Sequence, residues 1–337
     1  MTTPLLSICI PTYNRAQHLR NCLHSIAIAC PQVRDKIEIC ISDNGSDDDT
    51  PAIIANHQID APVRTARNTT NQGIPMNFLK VVGLATGQFA WLVGDDDIIV
   101  PDGLTRMVQM IETHPQVDFF FVNALHHTTE NVLAQPQPFD PHSLPSPLER
   151  FSRRTLEGPL PFLDLIDPDT SFDFLGGMFL SIFRRTLWAE TSHVLDQDAI
   201  RSDLVFSHFD NTFPHVRIFA PAFAGKTAYF NAVPPIVCLT GAREWAPKYK
   251  MIRSFRLVEA LKLYRAEGLD AARYHKCRNF AIRDFFADIV WMRLHRARSG
   301  WAYVSVTRNL IENLRYPNLY LSPFRLLAQR AKRALGR

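Results

Sequence analysis

The chain has 337 residues, of which 46% are hydrophobic and 21% charged, so it can bury a substantial core and is neither a disordered nor a fibrous sequence. Its six cysteines include no C-x-x-C pair, which favours buried thiols in a reducing compartment over a disulfide framework or a zinc site. No apolar run reaches the roughly 18 residues of a transmembrane helix, and residues 4–10 lack the charged start of a secretory signal. The composition therefore predicts a cytoplasmic globular protein.

The net charge of +4 is distributed unevenly along the chain. Residues 241–337 contain 21 Lys and Arg against 7 Asp and Glu, whereas the first 240 residues contain 16 basic and 26 acidic side chains. Such a division predicts that the C-terminal part meets a polyanion. Basic residues interspersed with Leu and Phe near the end favour an anionic membrane surface, and no recognised nucleic-acid-binding module is present.

Strand and helix patterns alternate through the first 125 residues. Short apolar runs predict strands at 5–10, 37–42, 63–67, 88–93 and 117–122. Apolar residues at helical spacing predict helices at 15–29 with Asn14 as the N-cap, from Pro75 to Gly87, and at 103–112. This alternation is typical of a mostly parallel sheet with helices on both faces.

Polar clusters follow three of these strands. Thr12–Arg15 comes after the first, Asp43 after the second, and Asp95–Asp97 after the fourth. Ligands of such sheets bind beyond the carboxyl ends of the strands, so the three clusters predict one binding site.

Three carboxylates in a row, Asp95–Asp97, repel one another unless a cation is present. Oxygen ligands of this kind suit Mg²⁺ or Mn²⁺, which usually take their other ligands from water and substrate phosphates. For an isolated triplet, a solvated acidic turn is the better interpretation, and the other polar clusters of the chain favour the metal site.

The second half of the chain is less regular. Five prolines within 134–148 predict a loop. The apolar run Thr170–Phe183 predicts a strand that packs closely at Gly176–Gly177, and the following pair Arg184–Arg185 either binds ligand oxygens or faces solvent. From Pro247 onward the periodicity is helical.

Taken together, the clusters resemble the inverting glycosyltransferases of family 2, which have the GT-A fold, and in particular those that build bacterial surface polysaccharides such as O-antigen or capsule. The pieces that carry the resemblance occur in the family's order over residues 4–125: Ser7–Arg15, Ile41–Asp48, Asn71–Gly73, Ala85–Gly87, Gly94–Asp97 and Pro101. The resemblance implies a GT-A domain over 1–240, with a nucleotide-sugar half at 1–125 and an acceptor half at 150–240, followed by a basic helical region at 241–337.

The resemblance also implies roles for individual residues. The side chains expected at the nucleotide and its diphosphate are Pro11, Thr12, Tyr13, Arg15, Asp43, Arg67, Asn71, Gly73 and Asp95. Asp96 aligns with the metal-binding aspartate of the family's DxD element, with Asp97 in support. Two positions depart from the family pattern, because Asn44 and Gly94 stand where aspartates are usual.

The family's usual signal for the general base is absent, because no Glu-Asp pair follows Gly176–Gly177. An acceptor hydroxyl is a poor nucleophile and requires a carboxylate or histidine to accept its proton. Asp210 is favoured, His215 comes next, and Asp203 and His208 stay open. A structural turn with a capping aspartate explains each of them equally well.

The resulting expectation is a metal-dependent inverting glycosyltransferase that uses Mn²⁺ or Mg²⁺ and a nucleotide-sugar donor, by default a UDP-sugar. Its acceptor would be a glycan or a lipid-linked oligosaccharide, and it would lie peripherally on the inner face of the cytoplasmic membrane. The alternatives are a catalytically degenerate GT-A protein that binds glycans or serves as a scaffold, and a nucleotidyltransferase. The latter would require a Gly- and Lys-rich phosphate loop, which the Thr12–Arg15 segment is not.

Overall fold

The computed structural model describes the backbone of residues 3–241 and 245–334, and the side chains of those residues as far as Leu327. Residues 1–2, 242–244 and 335–337 of the regions predicted above lie outside the described residues.

A single mixed sheet organises the described chain. Its strands are β1 Leu6–Thr12, β2 Ile37–Asp43, β3 Val63–Arg67, β4 Phe89–Leu92, β5 Ile98–Ile99, β6 Phe119–Thr128, β7 Gly158–Pro161, β8 Ser181–Arg184 and β9 Thr227–Thr240. They lie in the order β3-β2-β1-β4-β8-β6-β9-β5, and β7 also pairs with β9. The first four of this order run parallel, whereas β8 is antiparallel to both of its neighbours.

Helices connect and cover the strands. They are α1 Ala16–Ala29, α2 Thr50–Ala55, α3 Ile74–Leu84, α4 Gly103–Thr113, α5 Thr129–Leu133, α6 Arg185–Thr191, α7 Gln197–Ile200, α8 Phe209–Thr212, α9 Pro214–Phe223, α10 Tyr249–Met251, α11 Leu257–Ala266, α12 Ala271–Ala281, α13 Phe285–Leu294, α14 Val306–Asn313 and α15 Pro317–Ala334. A π-helical turn, Ile252–Arg256, joins α10 to α11. The predicted α/β architecture and the helical C-terminal region are both confirmed.

The C-terminal helices share their core with the sheet. Met251, Tyr264 and Cys277 are buried in the same hydrophobic cluster as Ile8 of β1 and Trp91 of β4. The region from 245 onward therefore completes the core of the sheet domain. All six cysteines are buried and reduced, as the sequence predicts.

Among the differences from the sequence prediction, two concern long segments. Thr170–Phe183 is wrong as a continuous strand, because only Ser181 onward belongs to β8 and the preceding residues form turns. Phe174 and Leu175 have φ values of 53° and 68°, which an extended strand does not accommodate. The second difference is β9, a long strand that the sequence analysis missed and that contains Pro234 and Pro235.

Candidate active site

The carboxyl ends of β1, β2 and β4 meet at one edge of the sheet, as predicted. Thr12 and Asp43, the last residues of β1 and β2, are paired across the two strands. The Thr12 hydroxyl donates a 2.8 Å hydrogen bond to Asp95 Oδ2, just beyond β4. Asn77 of α3 donates to the carbonyls of Thr12 and Ser42, at 3.3 and 3.0 Å, and holds the first two ends together. Sequence patterns gave no signal for this residue.

Asp95 and Asp96 form a buried carboxylate pair that faces one guanidinium. Each residue is 8% exposed, and Arg15 lies 3.6 Å from Asp95 Oδ1 and 3.5 Å from Asp96 Oδ2. Burial and the neighbouring Asp96 carboxylate raise the pKa of Asp95 to about 7, although Arg15 and the Thr12 hydroxyl oppose this shift. The Arg15 guanidinium offsets the negative charge of the two carboxylates only in part. The pair therefore fits a divalent cation.

Asp97 has a different environment from its two neighbours. It is 1% exposed, and its Oδ2 accepts a 3.0 Å hydrogen bond from the Gly94 backbone N–H. A Cβ at position 94 would lie 2.7 Å from Asp97 Oδ2, which accounts for glycine where the family pattern has aspartate. Across the described residues, no three His, Cys, Asp or Glu side chains form a closed metal site. An ion here would complete its shell with water and phosphate oxygens.

The expected base and ribose contacts lie around Asp43. Its Oδ1 accepts from the Ser46 N–H at 2.9 Å, and Arg67 Nε lies 3.2 Å from Oδ2. Arg67 also donates to the Ser46 carbonyl at 2.6 Å. Asn14 is not the N-cap of α1, a position taken by Arg15; with φ at 52°, it instead accepts from the Asp47 N–H through its side chain.

Asn44 holds the loop that contains Asn71 and Gly73. Its side-chain nitrogen donates to Asn71 Oδ1 at 2.8 Å and to the Gly73 carbonyl at 3.2 Å. Its side-chain oxygen accepts from Asn68 at 2.7 Å and from the Gln72 N–H at 3.0 Å. A carboxylate cannot donate, so this fourfold contact requires the amide. The departure from the family's aspartate is thereby explained by the local hydrogen bonds.

The turn before β8 lies at the same sheet edge. Ile182 pairs with Trp91 in antiparallel register, which places the preceding residues beside the end of β4, and Trp91 Nε1 donates to the Phe179 carbonyl at 2.8 Å. A Cβ at Gly176 would lie 3.0 Å from the ring of Phe213, so the predicted close packing at this glycine is present. By contrast, Arg185 donates to the Gly87 carbonyl, at the amino end of β4 and away from the aspartates.

Three successive carbonyls of this turn are held by ring donors. The Tyr264 hydroxyl donates to the Phe174 carbonyl at 3.1 Å, and His215 Nε2 lies 3.1 Å from both the Leu175 and Gly176 carbonyls. Since carbonyls only accept, Nε2 carries the proton and His215 is in its Nε2–H tautomer. Burial lowers the pKa of His215 to about 4, partly opposed by these two carbonyls.

The other candidates for the general base differ in their exposure to solvent. Asp203 and His208 are exposed, and His208 Nδ1 contacts the Ser207 hydroxyl at 2.9 Å. Asp210 is 8% exposed, accepts from the Asp196 N–H at 2.8 Å and lies 3.7 Å from Arg217 Nε. Burial raises the pKa of Asp210 against the opposing effects of these two partners.

Comparison with known families gives the site its context. The profile described as Glycosyl transferase family 2 matches residues 7–179, which include the ends of β1, β2 and β4. The chain belongs to glycosyl transferase family 2. The resemblance inferred from the sequence motifs is therefore confirmed.

The chain is also similar to individual proteins over part of its length. It is 29% identical over 241 residues to abequosyltransferase RfbV of Salmonella typhimurium, covering 69% of this chain and 66% of the relative. It is 34% identical over 101 residues to chondroitin synthase of Escherichia coli, covering 30% of this chain and 14% of that protein. The chain thus spans less than two thirds of the length of these relatives.

Solved structures show the same fold. Residues 1–349 of S. aureus TarS in complex with UDP align with a TM-score of 0.55 and 15% identity, covering 84% of this chain and 72% of that one. The mannosyltransferase PcManGT from Pyrobaculum calidifontis, in complex with GDP-Man and Mn²⁺, aligns with a TM-score of 0.52 and 16% identity, covering 98% and 87%. These alignments confirm the GT-A fold of the family 2 chain.

Proposed function

We propose that this family 2 protein transfers a glycosyl group from a nucleotide sugar to a hydroxyl of a glycan or lipid-linked acceptor during bacterial polysaccharide synthesis. The proposal is supported by the similarity to relatives such as the abequosyltransferase, and by structures of the same fold in complex with UDP, UDP-GlcNAc or GDP-Man. The single observation that carries it is the buried Asp95–Asp96 pair opposite Arg15, at the sheet edge that also holds Asp43.

In this proposal the donor lies across the ends of β1, β2 and β4. Asp43 and Arg67 bind the base or ribose, and Arg15 binds the diphosphate. A Mg²⁺ or Mn²⁺ ion held by Asp96, with Asp95 beside it, would neutralise the charge that develops on the leaving diphosphate. Asp97, predicted as a supporting ligand, orients the turn through Gly94.

We assign the general base to Asp210. Burial raises the pKa of Asp210, which makes its carboxylate a stronger proton acceptor than an ordinary aspartate. His215 is less suited, because its pKa of about 4 makes it a weak base and its Nε2 is occupied by two carbonyls. The acceptor oxygen would attack the anomeric carbon as the bond to the nucleoside diphosphate breaks, and its proton would pass to Asp210. This single displacement would invert the configuration of the anomeric carbon.

Calorimetric titration tests the donor site. UDP, CDP, GDP and TDP are titrated with and without Mn²⁺ into the wild type, Asp96→Ala and Asp60→Ala. Asp60 is a matched control, because it is an exposed aspartate paired with Arg34 on the surface. We expect one diphosphate to bind in a Mn²⁺-dependent manner, with the metal dependence lost in Asp96→Ala and kept in Asp60→Ala.

Turnover is tested separately by hydrolysis of the matching nucleotide sugar in the absence of acceptor. Metal-dependent release of the diphosphate supports an active enzyme. Metal-independent binding without any release supports the degenerate glycan-binding alternative and overturns the proposal.

A further inference from the structure

The last two helices present apolar side chains to solvent. On α14 and α15 six large apolar residues are between 48% and 69% exposed. We call them the C-terminal apolar face, formed by Ile311, Leu314, Tyr320, Leu321, Phe324 and Leu327. Isolated exposed apolar residues are ordinary on a protein surface, but a group on adjacent helices marks an interaction site.

The geometry makes this group one surface. Tyr320, Phe324 and Leu327 are spaced by four and three residues, so they lie on the same side of α15. The Tyr320 hydroxyl donates to the Leu314 carbonyl at 2.6 Å, which joins that side to the end of α14.

The opposite side of α15 already packs on the protein. Leu319 is 2% exposed, and the buried Ser322 hydroxyl accepts a 2.8 Å hydrogen bond from the Phe286 N–H of α13. The helix is therefore apolar on its outer side as well as its inner side, and core packing does not account for the outer residues.

The charged residues that follow Glu312 in this segment are all basic. From Asn313 to the end of the chain there is no Asp or Glu, whereas the basic residues are Arg315, Arg325, Arg330, Lys332, Arg333 and Arg337. Arg315 is exposed beside Leu314. A surface that combines exposed Leu, Phe and Tyr with Arg matches a bilayer whose headgroups are anionic and whose interior is apolar. No helix of the described residues is long and apolar enough to span a membrane.

We infer that the C-terminal apolar face docks on an anionic lipid bilayer and inserts Tyr320, Phe324 and Leu327 below the headgroups. A second copy of the chain fits this face less well, because an isologous contact would bring two sets of arginines together. Docking on the bilayer would bring the site close to a lipid-linked acceptor. Only this consequence rests on the proposed function, and the docking itself does not.

Sedimentation with vesicles tests the inference on the full chain without donor or acceptor. Vesicles are made of phosphatidylcholine alone or mixed with phosphatidylglycerol. We expect the wild type to bind the mixed vesicles. The affinity of the double variant Phe324→Ser, Leu327→Ser for these vesicles should be lower by about tenfold or more. Leu156→Ser is the matched control, because Leu156 is 73% exposed on a different part of the chain.

Salt distinguishes insertion from purely electrostatic adsorption. Raised ionic strength should weaken binding only in part, since the apolar contribution is not screened. Wild type that binds neither vesicle, or a double variant that binds as well as the wild type, overturns the inference. A wild-type dimer that the double variant loses, without vesicle binding, assigns the face to a second copy instead. Circular dichroism of the double variant shows whether a loss of vesicle binding is due to misfolding. Nucleotide titration of the same variant shows whether its donor site is intact.

Discussion

Replacing His215 by glutamine should make the protein less sensitive to mild acid. The wild-type side chain is 2% exposed and is held in its neutral form, with a pKa lowered from 6.5 to about 4 by burial. Between these two values the unfolded chain binds a proton that the folded chain does not. The free energy of unfolding therefore decreases as the pH falls from about 6.5 towards 4, and this group has no such effect above that range.

The size of the effect follows from the two pKa values. Between pH 7 and pH 5 this one group should lower the free energy of unfolding by about 2 kcal/mol. Glutamine keeps an N–H that can reach the Leu175 and Gly176 carbonyls but does not titrate. We therefore expect His215→Gln to lack this pH dependence. Between pH 7 and pH 5 the free energy of unfolding should fall by about 2 kcal/mol more in the wild type than in His215→Gln.

Urea unfolding at several pH values measures the difference, and ¹⁵N NMR of the histidines identifies the tautomer directly. We expect His215 to show a protonated Nε2 and a bare Nδ1 at pH 7 and at pH 5. Parallel pH dependence in both proteins, or titration of His215 near its ordinary pKa, would refute the assignment of this residue as a buried positioning group and would return it to the candidates for the base.

Three further substitutions test separate parts of the site. Gly94→Ala should weaken metal-dependent nucleotide binding in calorimetry, because the new methyl group would displace Asp97 Oδ2 from the aspartate turn, whereas Gly83→Ala, with open space around it in α3, should leave binding unchanged. Tyr264→Phe should cost about 1–3 kcal/mol in chemical denaturation by leaving a buried carbonyl without its donor, and Tyr320→Phe, at an exposed position, should cost much less. Asn44→Asp should weaken nucleotide affinity about tenfold or more, through two lost donated hydrogen bonds; equal affinities would contradict the role given to this amide.

The nucleotide side of the site was predictable because its residues follow directly from local signals. Each strand is a short apolar run, and each polar cluster begins where the run ends. Parallel pairing then brings Thr12 beside Asp43 with no further information. Two details were beyond the sequence. Asp97 turns back to Gly94, and the amide of Asn44 binds its loop through donors as well as acceptors.

The turn before β8 was much less predictable, because its conformation depends on distant contacts. The run Thr170–Phe183 has the composition of a strand, yet Phe174 and Leu175 adopt the left-handed conformation. Such residues cost roughly 1–3 kcal/mol each unless their surroundings hold them. Here the donors come from His215 and Tyr264, which lie 40 and 90 residues further along the chain. No local pattern could have shown that these rings meet one turn.

The C-terminal helices stabilise a second turn in the same way. Phe206, a further non-glycine residue with positive φ, has its carbonyl bound by Arg256 of the π-helical turn, at 3.2 Å. Arg256 is 3% exposed and also binds the Ser207 carbonyl at 2.5 Å. Together with Tyr264, it supplies donors from one continuous helical segment to both strained turns. Strain of this kind persists only where the structure opposes its relaxation. The basic helical region, which the sequence suggested as a membrane-binding addition, therefore also fixes the backbone of these two turns.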